Sequence, residues 1–356
     1  MKTMKSHALP SKGPSKSLPK KLGAVRRRTV PAAREYVRSG PLLETGPLPL
    51  KIEPAVDGVD LCTWAARRRE ALERDLLEHG GILFRGFGIS SVEGFQDFVR
   101  TVGGPLLDYT YRSTPRSEVS GKIYTSTEYP QDQWIPMHNE MAYTRQWPMK
   151  IAFFSVRVAQ TGGETPIADS RRVYHRIDPE VRERFAEKGV LYVRNYGDAL
   201  DLPWQTVFQT SDRGEVEAFC VRSGIDFEWR PGDRLRTRQI CPAIAAHPVT
   251  GDPLWFNQAH LFHVTSLGAE VAESLLATLG EEDLPRNTYY GDGTALEPEV
   301  LAAIRAVFRE ESVLFPWQPR DILLLDNMLT AHGRAPFTGS RKVVVGMAEA
   351  RSHADA

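Results

Sequence analysis

The sequence holds three cysteines, Cys62, Cys220 and Cys241, in 356 residues, and none sits in a CxxC pair. That excludes a disulfide framework and a structural zinc held by four cysteines. Cytosolic (cytoplasmic) chemistry is the default expectation from such cysteine usage. No uninterrupted apolar run approaches the roughly 18 residues that a membrane-spanning helix needs, so no membrane partner is expected. Neither GxGxxG nor GxxxxGK followed by Ser or Thr occurs. A nucleotide phosphate cradle is therefore not indicated. Internal repeats are also missing, and no Gly/Ser linker divides the body. One elaborated domain is the economical expectation.

Acidic residues are missing from one end. Residues 1–34 carry ten basic side chains and no acidic one, whereas the rest of the chain carries 35 basic against 45 acidic. The segment is rich in Lys, Ser and Pro and poor in large apolar residues. It buries too little to offset its ordering entropy, so residues 1–40 are expected to be a disordered basic tail ahead of a domain spanning 41–356. Such a tail suits nucleic acid, acidic lipid or an acidic partner. The plainer expectation is a solvated extension, with nucleic acid not a partner. No apolar stretch follows the charges as in a secretory signal, and Pro10, Pro14 and Pro19 oppose an amphipathic presequence.

What is present is an ordinary globular mix, 41% hydrophobic and 25% charged. Residues 63–79 read as a helix, with Leu72, Leu76 and Leu77 at helical spacing and a stop at Gly80. ILFRGFGI follows as a short strand, and 92–103 reads as a second helix. Beyond that the pattern turns to short strands: 150–158, 313–317, 321–326 and 342–350, with helical segments at 269–279 and 297–311 between them. Short strands with a few outer helices predict a mainly β fold, a sandwich or barrel.

Two segments contain the residues suited to chemistry. In IPMHNEMAYT, one residue separates His138 from Glu140, so an extended backbone aims both side chains to one face. A third ligand would complete a facial triad, the set that leaves open positions on a ferrous ion. His332, just after an apolar strand, is the candidate. Taken alone the triplet is a weak signal. From these residues alone a surface pair at His138 and Glu140 and a core histidine at His332 are the plainer explanation, and His260 and His263 compete as ligands. Arg341 opens the strand RKVVVGM. Buried, it needs an anionic partner, either a dicarboxylate ligand or a side chain such as Glu349 or Asp326.

Residues 138–170 and 320–350, with HxE, GGET and DNxxxxHGR in that order and an arginine after them, resemble the taurine dioxygenase-like (TauD/TfdA) family of iron(II)/2-oxoglutarate oxygenases. The likeness runs from about residue 48 to the C-terminus. Within the family, HPVTGDPLWFNQAHLFH is similar to the subgroup of peptide natural-product pathways that includes the syringomycin-type aspartate hydroxylase. The resemblance implies a double-stranded β-helix, or jelly roll. It implies Fe(II) held by His138, Glu140 and His332. It also implies 2-oxoglutarate held at its distal carboxylate by Thr165 and Arg341. Arg334 either orients the site or is structural. Asn257 and Trp134 are candidates to face the substrate.

Departures from the family narrow the expected chemistry. Val345 stands where taurine dioxygenase places the arginine that grips its sulfonate, so a sulfonate substrate is not expected. Glu140 stands where halogenating relatives carry a small residue, which favours hydroxylation. The expected reaction consumes O2 and 2-oxoglutarate, releases succinate and CO2, and hydroxylates an unactivated C–H of an amino acid, free or tethered to a peptidyl carrier protein. Desaturation, epimerisation and cyclisation use the same cofactor chemistry. A non-catalytic jelly roll would be expected to show a damaged triad or a missing arginine, and neither is seen. A zinc hydrolase on the same ligands would leave Thr165 and Arg341 without a role.

Overall fold

The computed structural model describes residues 36–353, except 45, 112, 115, 127–128 and 198–200. The tail expected over 1–40 lies mostly outside these residues. The part that is described departs from it, because a strand begins at Val37.

Three adjacent strands of the main sheet, Ile322–Asp326, Gln146–Arg157 and Lys342–Ser352, share one alternation. Leu323, Leu325, Ile151, Phe153, Val343, Val345 and Met347 point to one face. Ile322, Leu324, Ala152, Phe154 and Val344 point to the other. Side chains alternate along a strand, and here both faces are covered, so the runs read as continuously apolar. Flanking strands extend this sheet to eight, with Gly46–Pro54 and Gly81–Phe84 the parallel pair. The outer face is packed by helices. Phe95, Phe98 and Val99 of helix Val92–Gly103 join Leu61, Ala65, Leu72 and Leu76 against it. Phe95 stacks on Phe154 with ring centroids 5.3 Å apart.

The opposite face meets a smaller antiparallel sheet of Ile135–His138, Thr330–Arg334 and Ile167–Asp169, with Thr330–Arg334 central. A further pair, Thr161–Gly162 with Phe337–Thr338, lies at residues flanking those strands. Two sheets closed over a shared apolar interior form the jelly roll. A separate four-stranded sheet and several helices occupy much of 170–321.

Three expectations need correction. The helix expected over 63–79 is two, Leu61–Arg67 and Arg69–His79, broken at Arg68. The break lets Leu61 and Ala65 pack inward together with Leu72 and Leu76. The strand expected at 313–317 is irregular. Val313 makes one isolated bridge to Ile167, while Phe315 and Trp317 fill the core and Pro316 has no amide to offer a ladder. Finally, the strand carrying His138 ends there, and Glu140 lies in a turn.

Gly80 ends its helix with φ of 73° and leads into the main sheet. A Cβ there would sit 2.5 Å from Thr330 Oγ1. The Thr330 hydroxyl donates to the Gly80 carbonyl at 2.8 Å, fixing the loop that carries the chain into the smaller sheet.

Candidate metal centre and cosubstrate pocket

His138 and His332 face each other as cross-strand partners, with ring centroids 4.6 Å apart. Gly333 permits the close approach of these strands, since a Cβ would lie 2.6 Å from the Ile135 carbonyl. Glu140 reaches the same point because the chain turns after His138, not because of strand alternation. Two residues fix that turn. Asn327 accepts from the Glu140 amide at 2.7 Å and donates to the carbonyls of Glu140 and Pro148, each at 2.9 Å. Asn139 donates to the Asn327 carbonyl at 2.7 Å. One ligand atom from each of His138, Glu140 and His332 lies within 4.8 Å of the others.

The protonation pattern suits a cation. His138 Nδ1 donates to the Pro136 carbonyl at 2.8 Å, which leaves Nε2 with its lone pair. Burial lowers the His138 pKa, against a smaller opposing effect of Glu140. Burial, then His138 and Arg116, push His332 well below the usual histidine range. The His332 side chain is different, because its Nδ1 is buried without a partner. Its Nε2 lies 3.8 Å from Glu140 Oε2. Two neutral imidazoles and one carboxylate converging beside a cavity match a metal that keeps open positions. The residues present therefore fit an iron(II) site.

A cavity of about 30 Å³ adjoins this cluster and is lined by His138, His332, Thr165, Arg341, Arg334 and Arg116, among others. Thr165 Oγ1 accepts from Trp317 Nε1 at 3.2 Å, which leaves its own hydroxyl proton to donate. Arg341 donates from Nε to the Gly163 carbonyl at 2.8 Å and from Nη1 to Ser126 Oγ at 3.3 Å. Glycine is required in this turn. Gly163 has φ of 74°, and a Cβ there would stand 2.9 Å from Arg341 Cδ. Burial, then Arg334, lowers Arg341 to about 10, so it stays cationic at neutral pH. Among the described residues neither Arg341 nor Arg334 forms an ion pair. Glu349 pairs with Lys150 and Asp326 with His247, so neither serves Arg341.

The remaining candidates fall elsewhere. Arg334 lines the cavity, but its guanidinium donates to the carbonyls of Tyr129, Pro130 and Gln133, where it clasps a loop. Asn257 is fully buried and occupied, donating to Ala243 and accepting from the Ala259 amide. Trp134 is 54% exposed, just ahead of the strand Ile135–His138. His260 Nε2 donates to the Met137 carbonyl at 2.9 Å and so supports the His138 strand from behind. His263 bonds Thr265 at 2.9 Å. Two larger clefts, of about 460 and 400 Å³, meet at Tyr111, Phe219 and Arg222 and contain none of the three ligand candidates.

Sequence reasoning missed two residues. Asn327 stood inside the DNxxxxHGR motif with no role given to it. Arg116 carried no signal. It donates from Nη2 to Glu140 Oε2 at 2.7 Å, with both side chains buried. Burial alone would push Arg116 down, but Glu140, Tyr109 and Tyr143 together outweigh it and hold the guanidinium above its ordinary pKa.

The jelly roll and this cluster define an oxygenase of the iron(II)/2-oxoglutarate class. Residues 44–348 match the taurine catabolism dioxygenase TauD, TfdA family, and the chain belongs to that family. It is 44% identical over 276 residues to the dapdiamide synthesis protein DdaC of Enterobacter agglomerans, covering 78% of this chain and 84% of that protein. It is 34% identical over 294 residues to a clavaminate synthase-like protein of Arabidopsis thaliana, covering 79% and 84% respectively. Among solved structures, PvcB of Pseudomonas aeruginosa superposes with a TM-score of 0.54 at 17% identity, covering 89% of this chain and 92% of that one. At that identity the match speaks for the fold.

Proposed function

We propose that this enzyme hydroxylates an unactivated C–H bond of an amino acid or amino-acid-derived substrate, free or carried on a peptidyl carrier protein, in natural-product biosynthesis. The observation that carries the site reading is the convergence of His138, Glu140 and His332 beside a cavity that Thr165 and Arg341 also line. The pathway setting is supported by the relationship to DdaC, whose name places it in dapdiamide synthesis.

Iron(II) with 2-oxoglutarate and O2 supplies the oxidising power, with succinate and CO2 released. His138, Glu140 and His332 would hold the metal. Arg341 would grip the distal carboxylate of 2-oxoglutarate through a charge-assisted bond, with the Thr165 hydroxyl donating a second. Both lie in a buried setting where such bonds are strengthened by the low local dielectric. Trp317 and Gly163 hold these two groups in place. Val345 is fully buried in the apolar interior, so no cation stands there to hold a sulfonate.

The test is anaerobic absorption spectroscopy of apoprotein on adding Fe(II) and then 2-oxoglutarate, beside His332→Ala and Arg341→Ala. A visible charge-transfer band that needs 2-oxoglutarate, and that both variants impair, is expected. No band in folded wild-type protein would overturn the reading. With amino acids and carrier-bound amino acids as substrates, a product gaining one oxygen marks hydroxylation, and one losing two hydrogens marks desaturation.

A further inference from the structure

Arg116 lies on the irregular segment ahead of strand Glu118–Ser120, yet its guanidinium reaches the carboxylate of Glu140. The oxygen it holds is Oε2, the one 3.8 Å from His332 Nε2. The arginine thus engages the oxygen that faces His332. A carboxylate oxygen has two lone-pair directions, so Oε2 can accept from Arg116 and still bind a cation. The 2.7 Å bond fixes how the carboxylate is turned about Oε2, so rotating it to bring Oε1 onto the cation as well would strain that bond. The guanidinium is in turn braced over the Tyr109 ring at 4.6 Å.

We propose that Arg116 is a positioning residue that keeps Glu140 a one-oxygen ligand and weakens its grip on the metal, preserving the adjacent positions for 2-oxoglutarate. This deepens the proposed function and rests on its assignment of the metal site. The charge logic runs the same way. Arg116 adds positive charge beside a divalent cation, which opposes metal binding. Its hydrogen bond fixes the carboxylate orientation, which favours the chelating cosubstrate.

These two effects predict opposite shifts. In Arg116→Met apoprotein, calorimetry should show Mn(II) binding about ten-fold tighter, and 2-oxoglutarate binding to the Mn(II)-loaded protein about ten-fold weaker, within the range by which neighbours of metal ligands act. Arg116→Lys keeps the charge and should stay within about three-fold of wild type for the metal. If Arg116→Met does not fold, Arg116→Gln is read the same way and should shift both constants in the same opposite directions. Weakening of both constants, or no change in either, overturns the proposal, as does failure of both neutral variants to fold, which would make Arg116 a support of the core. Wild-type protein that binds Mn(II) but not 2-oxoglutarate would instead sink the functional reading itself.

Discussion

Replacing Asn327 by alanine tests whether the turn carrying Glu140 is built by one buried amide. Asn327 is fully buried, and its side chain makes three hydrogen bonds, one accepted from the Glu140 amide and two donated to the carbonyls of Glu140 and Pro148. A net hydrogen bond contributes about 1 kcal/mol, and a buried group left unsatisfied costs about 1–3 kcal/mol. Asn327→Ala strands one N–H and two carbonyls where no solvent reaches, so the loss of stability is expected to be about 3–5 kcal/mol. Once the Glu140 backbone is free to drift, the carboxylate no longer sits where the two imidazoles need it. Metal affinity should then fall about 10–100-fold. Urea unfolding of the apoprotein reads the first quantity and Mn(II) titration the second. A stability change under about 1 kcal/mol together with unaltered metal affinity would refute the account of the turn.

Two other perturbations separate neighbouring parts of the site. Gly163→Ala introduces a Cβ 2.9 Å from Arg341 Cδ at a backbone φ of 74°. It should raise the KM for 2-oxoglutarate at least about ten-fold, the worth of roughly one charge-assisted bond, while Mn(II) affinity in the absence of 2-oxoglutarate stays at the wild-type value; equal losses in both would show that the turn supports the metal as well. His260 is lowered from 6.5 to about 4, by burial against the opposing bond to Met137. The unfolded chain takes up this proton first, so the stability tied to neutral His260 is present above about pH 6.5 and lost as pH falls towards 4, reaching about 3 kcal/mol in full. Urea midpoints of wild type and His260→Gln should converge between pH 7 and pH 5, and parallel pH profiles would refute the assignment.

The sheet strands were legible because each is buried on both faces. A continuous run such as ILLLD has no other use in a chain with no membrane-length segment. The ligand residues were legible as types but not as a geometry. Strand alternation was expected to bring His138 and Glu140 together, but the strand stops at His138 and a turn brings Glu140 round. That turn is made by a residue 187 positions away, and no local pattern announces it. The expected strand at 313–317 failed for a related reason. Val313, Phe315 and Trp317 alternate inward like strand residues, but alternation reports burial, and a strand also needs a neighbour for its amides.

Arg116 shows where single-sequence reasoning stops. Its importance is a matter of which carboxylate it touches, and that carboxylate lies 24 residues on, past the strands Glu118–Ser120, Ile123–Thr125 and Ile135–His138. An exposed arginine in a loop would have been the natural reading. A buried arginine paired to a buried carboxylate is different, because separating them leaves a charge in a medium that solvates it poorly. When a divalent cation claims the same oxygen, the arginine must share it rather than surrender it. The proposed metal centre, with one acidic ligand among the described residues and three arginines around its cavity, is thus matched to a cosubstrate that arrives with two negative charges. The positive surplus holds the metal loosely when it is alone and supplies the attraction that completes the site when the dicarboxylate enters.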